Sequence, residues 1–178
     1  LAFKDVGARF MARVMGRLRQ AEPQPVRRRK ARSTGQAGAG GPNPADRSLL
    51  TVLTATSGDT GGAVAHAFLG LKGVRVVVLF PDGQVTPRQE RQFSTLGENV
   101  RAVAVQGDFD ACQRLAKGAF QDRELRERLT LTSANSINVG RFLPQSFYYV
   151  HAWAQMAATP EAAGKEILFS VPSGNFGN

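Results

Sequence analysis

The chain has 178 residues, 42% of them hydrophobic, enough for one domain with a buried core or for a small domain and part of another. Of its 23 Lys and Arg side chains, 11 fall within residues 1–47 beside 3 acidic ones, so +8 of the net charge of +9 belongs to one segment, which argues against nucleic-acid binding by the whole fold. A single cysteine excludes an intrachain disulfide and, without a Cys/His cluster, argues against a zinc site. No stretch reaches the roughly 20 apolar residues of a membrane span, so we expect a soluble, cytoplasmic protein.

The first predicted element is an amphipathic helix over residues 5–19. Asp5 suits its first turn, and Lys4 lies at its mouth, where the helix dipole disfavours an ammonium and helps to keep an amine neutral. Apolar side chains recur at helical spacing and predict its buried face: Val6, Phe10, Val14 and Leu18.

Residues 20–47 contain a basic run at 27–30 and many glycines and prolines, and offer no apolar face. Such a segment cannot bury enough apolar surface to offset the entropy of ordering it, so we predict a disordered insert. A contact between its basic run and nucleic acid or an acidic partner is the alternative to a solvated loop.

From residue 49 onward, strands and helices are predicted to alternate. The predicted strands are 49–55, 74–80, 99–105, 129–133 and 166–171, and the predicted helices are 59–71, 87–96, 108–120 and 137–156. Helices that connect strands in this order make right-handed crossovers, and the strands then form a parallel sheet. The predicted fold class is α/β.

Three polar loops follow predicted strand ends, at 56–61 (Thr-Ser-Gly-Asp-Thr-Gly), 133–138 (Ser-Ala-Asn-Ser-Ile-Asn) and 173–178 (Ser-Gly-Asn-Phe-Gly-Asn). Ligands of open parallel sheets bind outside the carboxyl ends of the strands, and backbone N–H groups at helix starts bind anions. Each loop alone is equally typical of an ordinary helix cap. Together with the Lys4 amine, which can form a Schiff base, a backbone nest for a phosphate suggests pyridoxal phosphate.

Five motifs in this order resemble those of threonine synthases, pyridoxal-phosphate enzymes of the tryptophan-synthase-β-like fold. They are Leu-Ala-Phe-Lys-Asp-Val-Gly-Ala-Arg-Phe-Met (1–11), Leu-Thr-Ala-Thr-Ser-Gly-Asp-Thr-Gly-Gly-Ala-Val-Ala-His-Ala-Phe (53–68), Gly-Asp-Phe-Asp-Ala-Cys-Gln (107–113), Ser-Ala-Asn-Ser-Ile-Asn-Val-Gly-Arg (133–141) and Val-Pro-Ser-Gly-Asn-Phe-Gly-Asn (171–178). The chains of that family extend beyond both ends of this sequence, so we expect a fragment.

The resemblance implies a role for each motif residue. Lys4 would form the Schiff base with pyridoxal 5'-phosphate, and Asp59 would face the cofactor's ring hydroxyl; related dehydratases usually carry Asn there. The cofactor phosphate would be held by Ser173, Gly174, Asn175, Phe176, Gly177 and Asn178. The substrate carboxylate would be received by Ser57, Gly58 and Thr60, and the substrate phosphate by Asn135, Ser136 and Arg141.

The implied reaction is the conversion of O-phospho-L-homoserine and water to L-threonine and phosphate, with Lys4 moving the protons at Cα and Cβ. Another pyridoxal-phosphate lyase of the same fold, such as a serine or threonine dehydratase, is one alternative. A truncated, non-catalytic chain that binds nucleic acid through its basic insert is the other.

The resemblance also implies a division into domains. Residues 1–19 and 135–178 would belong to a large cofactor-binding domain, residues 20–47 would form the insert, and residues 48–134 would form a small α/β domain. We expect the cofactor in the cleft between the two domains.

Overall fold

The computed structural model describes residues 3–21, 48–135 and 138–171. The α-helices are α1 (Phe3–Ala21), α2 (Asp59–Phe68), α3 (Pro87–Ser94), α4 (Phe109–Gln121), α5 (Arg123–Arg128) and α6 (Val139–Ala157), and the strands are β1 (Leu50–Ala55), β2 (Val74–Pro81), β3 (Val100–Val105) and β4 (Thr130–Ser133). The strands form one parallel sheet in the order β3-β2-β1-β4. The predicted α/β class is confirmed.

Alternate residues of the strands supply two cores, one on each face of the sheet. Val52, Val76 and Val78 pack with residues of α2 and α3, whereas Leu53 and Leu79 pack with residues of α4. This two-sided burial explains why β1 and β2 read as nearly continuous apolar runs. Because α2 and α3 lie on one face and α4 on the other, the chain changes face between β3 and β4.

Capping side chains set the starts of α3, α4 and α5. Thr86 and Gln89 form a reciprocal capping box at α3, with Pro87 in its first turn. Asp108 and Asp122 accept hydrogen bonds from backbone N–H groups three residues ahead and begin α4 and α5. Helix α5 was not predicted from the sequence, because its six residues bury no side chain and carry no apolar period.

The face of α1 that is buried differs from the predicted one. Ala8, Met11 and Ala12 are almost completely buried in the main core, where α1 packs between α2 and α6. The predicted core side chains are exposed, by 39 to 61%: Val6, Phe10, Val14 and Leu18. Small residues allow the close approach of two neighbouring helices, so the structure uses the Ala/Gly side of α1.

Two contacts fix the direction of α1. Gly16 lies beside Leu71, which precedes β2, and the Arg19 guanidinium donates to the carbonyl of Ser48, which precedes β1. The C-terminal half of α1 therefore lies at the amino edge of the sheet. The 12 residues from Gly16 back to Lys4 span about 18 Å of helix, nearly the length of a six-residue strand, about 20 Å. Lys4 is thus brought towards the edge where the strands end.

The last predicted strand, 166–171, is wrong. The structure has no strand at these residues, and Leu168 is 84% exposed. A strand needs a partner for its backbone hydrogen bonds, and among the described residues no strand pairs with this segment. Phe169 instead packs edge-on against Tyr149 of α6, with ring centroids 5.5 Å apart.

The predicted insert, 20–47, lies largely outside the described residues. Gln20 and Ala21 are its described members, and both continue α1, so its predicted start is wrong by two residues.

Candidate active site

The polar loops after β1 and β4 meet at one point of the sheet edge. The two strands are neighbours in the sheet, and their carboxyl ends lead into α2 and α6. Ligands of open parallel sheets bind outside the carboxyl ends of the strands. Five described residues of the predicted site fall in these loops: Ser57, Gly58, Asp59, Thr60 and Asn135.

Thr56, which was not among the predicted site residues, organises the loop after β1. Its buried hydroxyl accepts hydrogen bonds from the N–H groups of Gly58 and Gly61, at 3.0 and 2.9 Å, and donates to the carbonyl of Gly58 at 2.9 Å. This bonding holds the turn from its inner side, and Ser57 is left exposed. The sequence feature that could have indicated this role is a threonine directly after a buried strand and before Ser-Gly.

Gly58 occupies a backbone conformation, φ 148°, that L side chains rarely adopt. It is the N-cap of α2 and makes no side-chain capping bond. Because the first N–H groups of a helix have no partner within the helix, the start of α2 presents donors to an anion. Thr60 is half-buried in this first turn.

Asp59 is exposed at the first position of α2, and its carboxylate is already engaged. The side-chain amide of Gln89, on α3, donates to its Oδ1 at 2.8 Å. The loop after β1 is therefore tied to the start of α3 as well as to its own strand.

Asn135 joins the ends of β1 and β4. Its Oδ1 accepts from the N–H of Ala55 at 3.1 Å and from the Thr54 hydroxyl at 3.2 Å, and its Nδ2 donates to the carbonyl of Ala55 at 2.8 Å. The side-chain amide thus pairs with β1 as a further residue of β4 would. A contact between Asn135 and a substrate phosphate would have to share or replace these bonds.

Arg141 is 2% exposed at the start of α6. It donates to the carbonyl of Ala134 at 2.6 Å, while its buried Nε has no hydrogen-bond partner among the described residues. Within the described ranges no carboxylate pairs with it, and burial lowers its pKa to about 10. A buried guanidinium with an unused donor is chemically suited to an anion.

Two more polar atoms on the same face of α6 lack a hydrogen-bond partner in the part of the chain that the structure describes. They are the Oε1 of Gln145, one helical turn after Arg141, and the hydroxyl of Tyr148. Burial raises the pKa of the Tyr148 phenol. The Nε2 of Gln145 is used within the helix, where it donates to the carbonyl of Arg141 at 2.9 Å. The structure therefore leaves a polar stripe on α6 with unused hydrogen-bonding capacity.

Lys4 lies half-buried in the first turn of α1, towards the same edge of the sheet. Ser136 and the terminal loop lie outside the described residues, as do the predicted phosphate-binding positions Ser173, Gly174, Asn175, Phe176, Gly177 and Asn178. The described part of the site thus offers an amine, a carboxylate, a helix start and a buried guanidinium. These groups fit an anionic ligand with a carbonyl, as pyridoxal phosphate is.

The described residues contain neither a cluster of metal ligands nor a membrane-spanning helix. No group of three or more His, Cys, Asp or Glu side chains in the described ranges is placed to hold a metal ion. Among the described helices, none combines the length and the apolarity needed to cross a membrane.

No protein-family model matches the chain. Threonine synthase of Serratia marcescens is 51% identical over all 178 residues, and that of Haemophilus influenzae is 48% identical over the same length. The chain spans 35% of the length of these relatives.

Solved structures agree with the sequence comparison. The crystal structure of Escherichia coli threonine synthase superimposes with a TM-score of 0.75 at 47% identity, over 99% of this chain and 35% of that one. The threonine synthase of Brucella melitensis, solved with pyridoxal phosphate bound, gives a TM-score of 0.71 at 38% identity, over 99% of this chain and 32% of that one. Diaminopropionate ammonia lyase of Escherichia coli, at 18% identity and a TM-score of 0.53, shares the fold.

Proposed function

We propose that this chain, a homologue of threonine synthases over its whole length, is the part of such an enzyme that carries its lysine and its substrate-binding loops. The enzyme would convert O-phospho-L-homoserine and water to L-threonine and phosphate. The observation that carries the proposal is the convergence of the Lys4 end of α1, the Asp59 loop and the buried Arg141 towards one edge of the sheet. The likeness to threonine synthases of known structure supports it.

Lys4 is proposed to hold the carbonyl of pyridoxal phosphate through its amine and to move protons at Cα and Cβ of the substrate. The bound cofactor supplies an electron sink for the carbanion formed at those carbons. The amine of Lys4, in the first turn of α1, is the group that would accept and return these protons.

Arg141 is proposed to bind the phosphate that leaves the substrate. Its guanidinium is buried, has an unused Nε and, in the described residues, lacks a carboxylate partner. A charge-assisted hydrogen bond is stronger in such a site than in water. Ser57, Gly58 and Thr60 are proposed to take the substrate carboxylate through the start of α2. Asn135 and Ser136 would assist at the phosphate.

We also propose that α1 and α6 belong to a larger cofactor-binding domain of which this chain contains a part. Both helices expose an apolar face: Val6, Phe10, Val14 and Leu18 on α1, and Val139, Leu143, Phe147, Val150, Trp153 and Met156 on α6. Contiguous apolar surface of this kind is normally covered. The chain spans 35% of the length of the Serratia marcescens relative, so a protein of that relative's length would have enough further chain to cover these apolar faces.

The proposed function is tested in a full-length protein that contains this sequence, by assaying phosphate release from O-phosphohomoserine and phosphoserine and ammonia release from serine and threonine. O-phosphohomoserine should be turned over, whereas serine, threonine and phosphoserine should not. Turnover of serine or threonine alone would assign the chain to another lyase of the fold and overturn the proposal.

A further inference from the structure

We propose that Gln89 is a positioning residue that fixes the carboxylate of Asp59 for the cofactor. The inference rests on the proposed function for the role of Asp59, and on the geometry at the start of α3 for the role of Gln89. Gln89 was not among the site residues predicted from the sequence.

The orientation of the Gln89 amide is determined by its own helix. Its Oε1 accepts from the Thr86 hydroxyl at 2.9 Å and from the Thr86 N–H at 3.3 Å, while the backbone N–H of Gln89 donates to the same hydroxyl. With both donors on the oxygen side, Nε2 is left to face Asp59 at 2.8 Å. Gln89 is therefore a donor to Asp59 and accepts nothing from it.

The same side chain also covers the turn before α2. A Cβ built on Gly58 would lie 2.6 to 2.9 Å from the amide atoms of Gln89, closer than real Cβ contacts. The φ of 148° requires glycine at position 58, and a larger residue there would also displace the Gln89 amide. Gln89 closes over the loop that is proposed to bind the substrate carboxylate.

The bond leaves one oxygen of Asp59 for a ligand. Oδ1 is held by Gln89, and in the part of the chain that the structure describes Oδ2 has no partner. An exposed carboxylate without such a bond rotates between rotamers, and a contact with the cofactor's ring hydroxyl would then lose its fixed geometry. The capping box of α3 is in this way connected to the site.

Gln89→Glu separates the two roles of this side chain. Glutamate replaces glutamine in a capping box without loss, so α3 keeps its cap. The donor to Asp59 is lost, and a second carboxylate takes its place. Gln92→Glu is the matched control, because it makes the same charge change on the same helix at an exposed residue.

The first readout is the absorbance of bound pyridoxal phosphate against pH in the full-length protein, together with kcat and KM. We expect Gln89→Glu to alter the pH dependence of the absorbance and to lower kcat/KM roughly 10- to 100-fold, the size of one hydrogen bond to a charged group. Gln92→Glu should match the parent. A parent-like spectrum and kcat/KM in Gln89→Glu would overturn the proposal, as would equal effects of the two variants.

The second readout does not depend on catalysis. Melting temperatures are compared for Gln89→Glu, Asp59→Asn and the double variant, in which the new amide at position 59 would donate to the new carboxylate at position 89. We expect Gln89→Glu to lower the melting temperature and the double variant to recover it. If the changes in melting temperature of the two single variants simply add up in the double variant, the hydrogen bond between Gln89 and Asp59 does not form, and the proposal is overturned. A parent without turnover of O-phosphohomoserine would overturn the proposed function, while this cycle would still decide the bond.

Discussion

Gly7 of α1 lies directly against the carbonyl oxygen of Arg141 on α6, so that a methyl group added at Gly7 would collide with that oxygen. The Nε2 of Gln145 lies 3.0 Å from the position of that methyl group. The two helices therefore cross with no side chain between them. This contact holds the helix that carries Lys4 against the helix that carries the buried guanidinium.

Gly7→Ala is expected to separate these helices and to lower the free energy of unfolding by about 2 kcal/mol or more, because the obstacle is backbone and cannot rotate away. Thermal unfolding measures the loss. Gly118→Ala is the control, since α4 has open space at that position. It should stabilise the protein by up to about 1 kcal/mol, as alanine favours a helix over glycine. Equal melting temperatures for the two variants would contradict the close crossing.

Lys4→Ala is expected to abolish covalent attachment of pyridoxal phosphate and turnover together in the full-length protein. The amine is the proposed anchor for the cofactor carbonyl, whereas the phosphate is held elsewhere, so non-covalent binding should persist in weakened form. Borohydride reduction followed by mass spectrometry measures the attachment. Lys117→Ala, at an exposed lysine of α4, should retain it. A reducible adduct on the Lys4→Ala protein would assign the anchor to another lysine.

Arg141→Met is expected to raise stability and to weaken phosphate binding. Burial lowers the pKa of Arg141 to about 10, which corresponds to a cost of about 3 kcal/mol for the buried charge. The lost hydrogen bond to Ala134 offsets about 1 kcal/mol of that gain. Denaturant unfolding measures the stability, and inhibition by inorganic phosphate measures the binding.

The direction in which stability changes with pH tests whether Arg141 is buried as a cation. Above about pH 10 the folded chain loses the Arg141 proton, whereas the unfolded chain keeps it because its arginine has the ordinary, higher pKa. The unfolded chain then binds more protons than the folded one, so Arg141 makes stability rise with pH there. The difference in stability between parent and Arg141→Met should therefore shrink as the pH rises through about 10. Arg114→Met, at an exposed arginine, should show no such change. A pH-independent difference would show that the guanidinium is not buried as a cation.

Asn135→Asp is expected to destabilise the join between β1 and β4 by about 1 to 3 kcal/mol, because a carboxylate oxygen would face the carbonyl of Ala55 in place of a donor. Hydrogen exchange at the Ala55 amide reports on this join and should become faster. An unchanged exchange rate at Ala55, with unchanged stability, would show that the amide of Asn135 is free to serve a ligand.

Most of the regular structure of the central α/β unit was predictable from local pattern. The strands at 50–55, 74–81, 100–105 and 130–133 and the helices between them agree with their predictions to within a few residues, α5 excepted. Strands buried on both faces and helices begun by Thr86, Asp108 or Asn138 carry their signals within a few residues of chain. The motifs that indicated the site are also short stretches of sequence, and the resemblance to threonine synthases rests on them.

Tertiary structure decided the features that depend on a contact with a residue distant in sequence. The apolar stripe with Val6 and Phe10 predicts a buried face, but whether it is buried depends on what packs there, and α2 and α6 take the Ala/Gly side instead. Residues 166–171 have strand composition, but a strand forms only beside another strand. Gln89 lies 30 residues from Asp59, so no sequence period relates them. Sequence by itself determined most of the elements and the chemistry of the loops. Which faces are covered, and which amide holds which carboxylate, followed from packing between segments far apart in the chain.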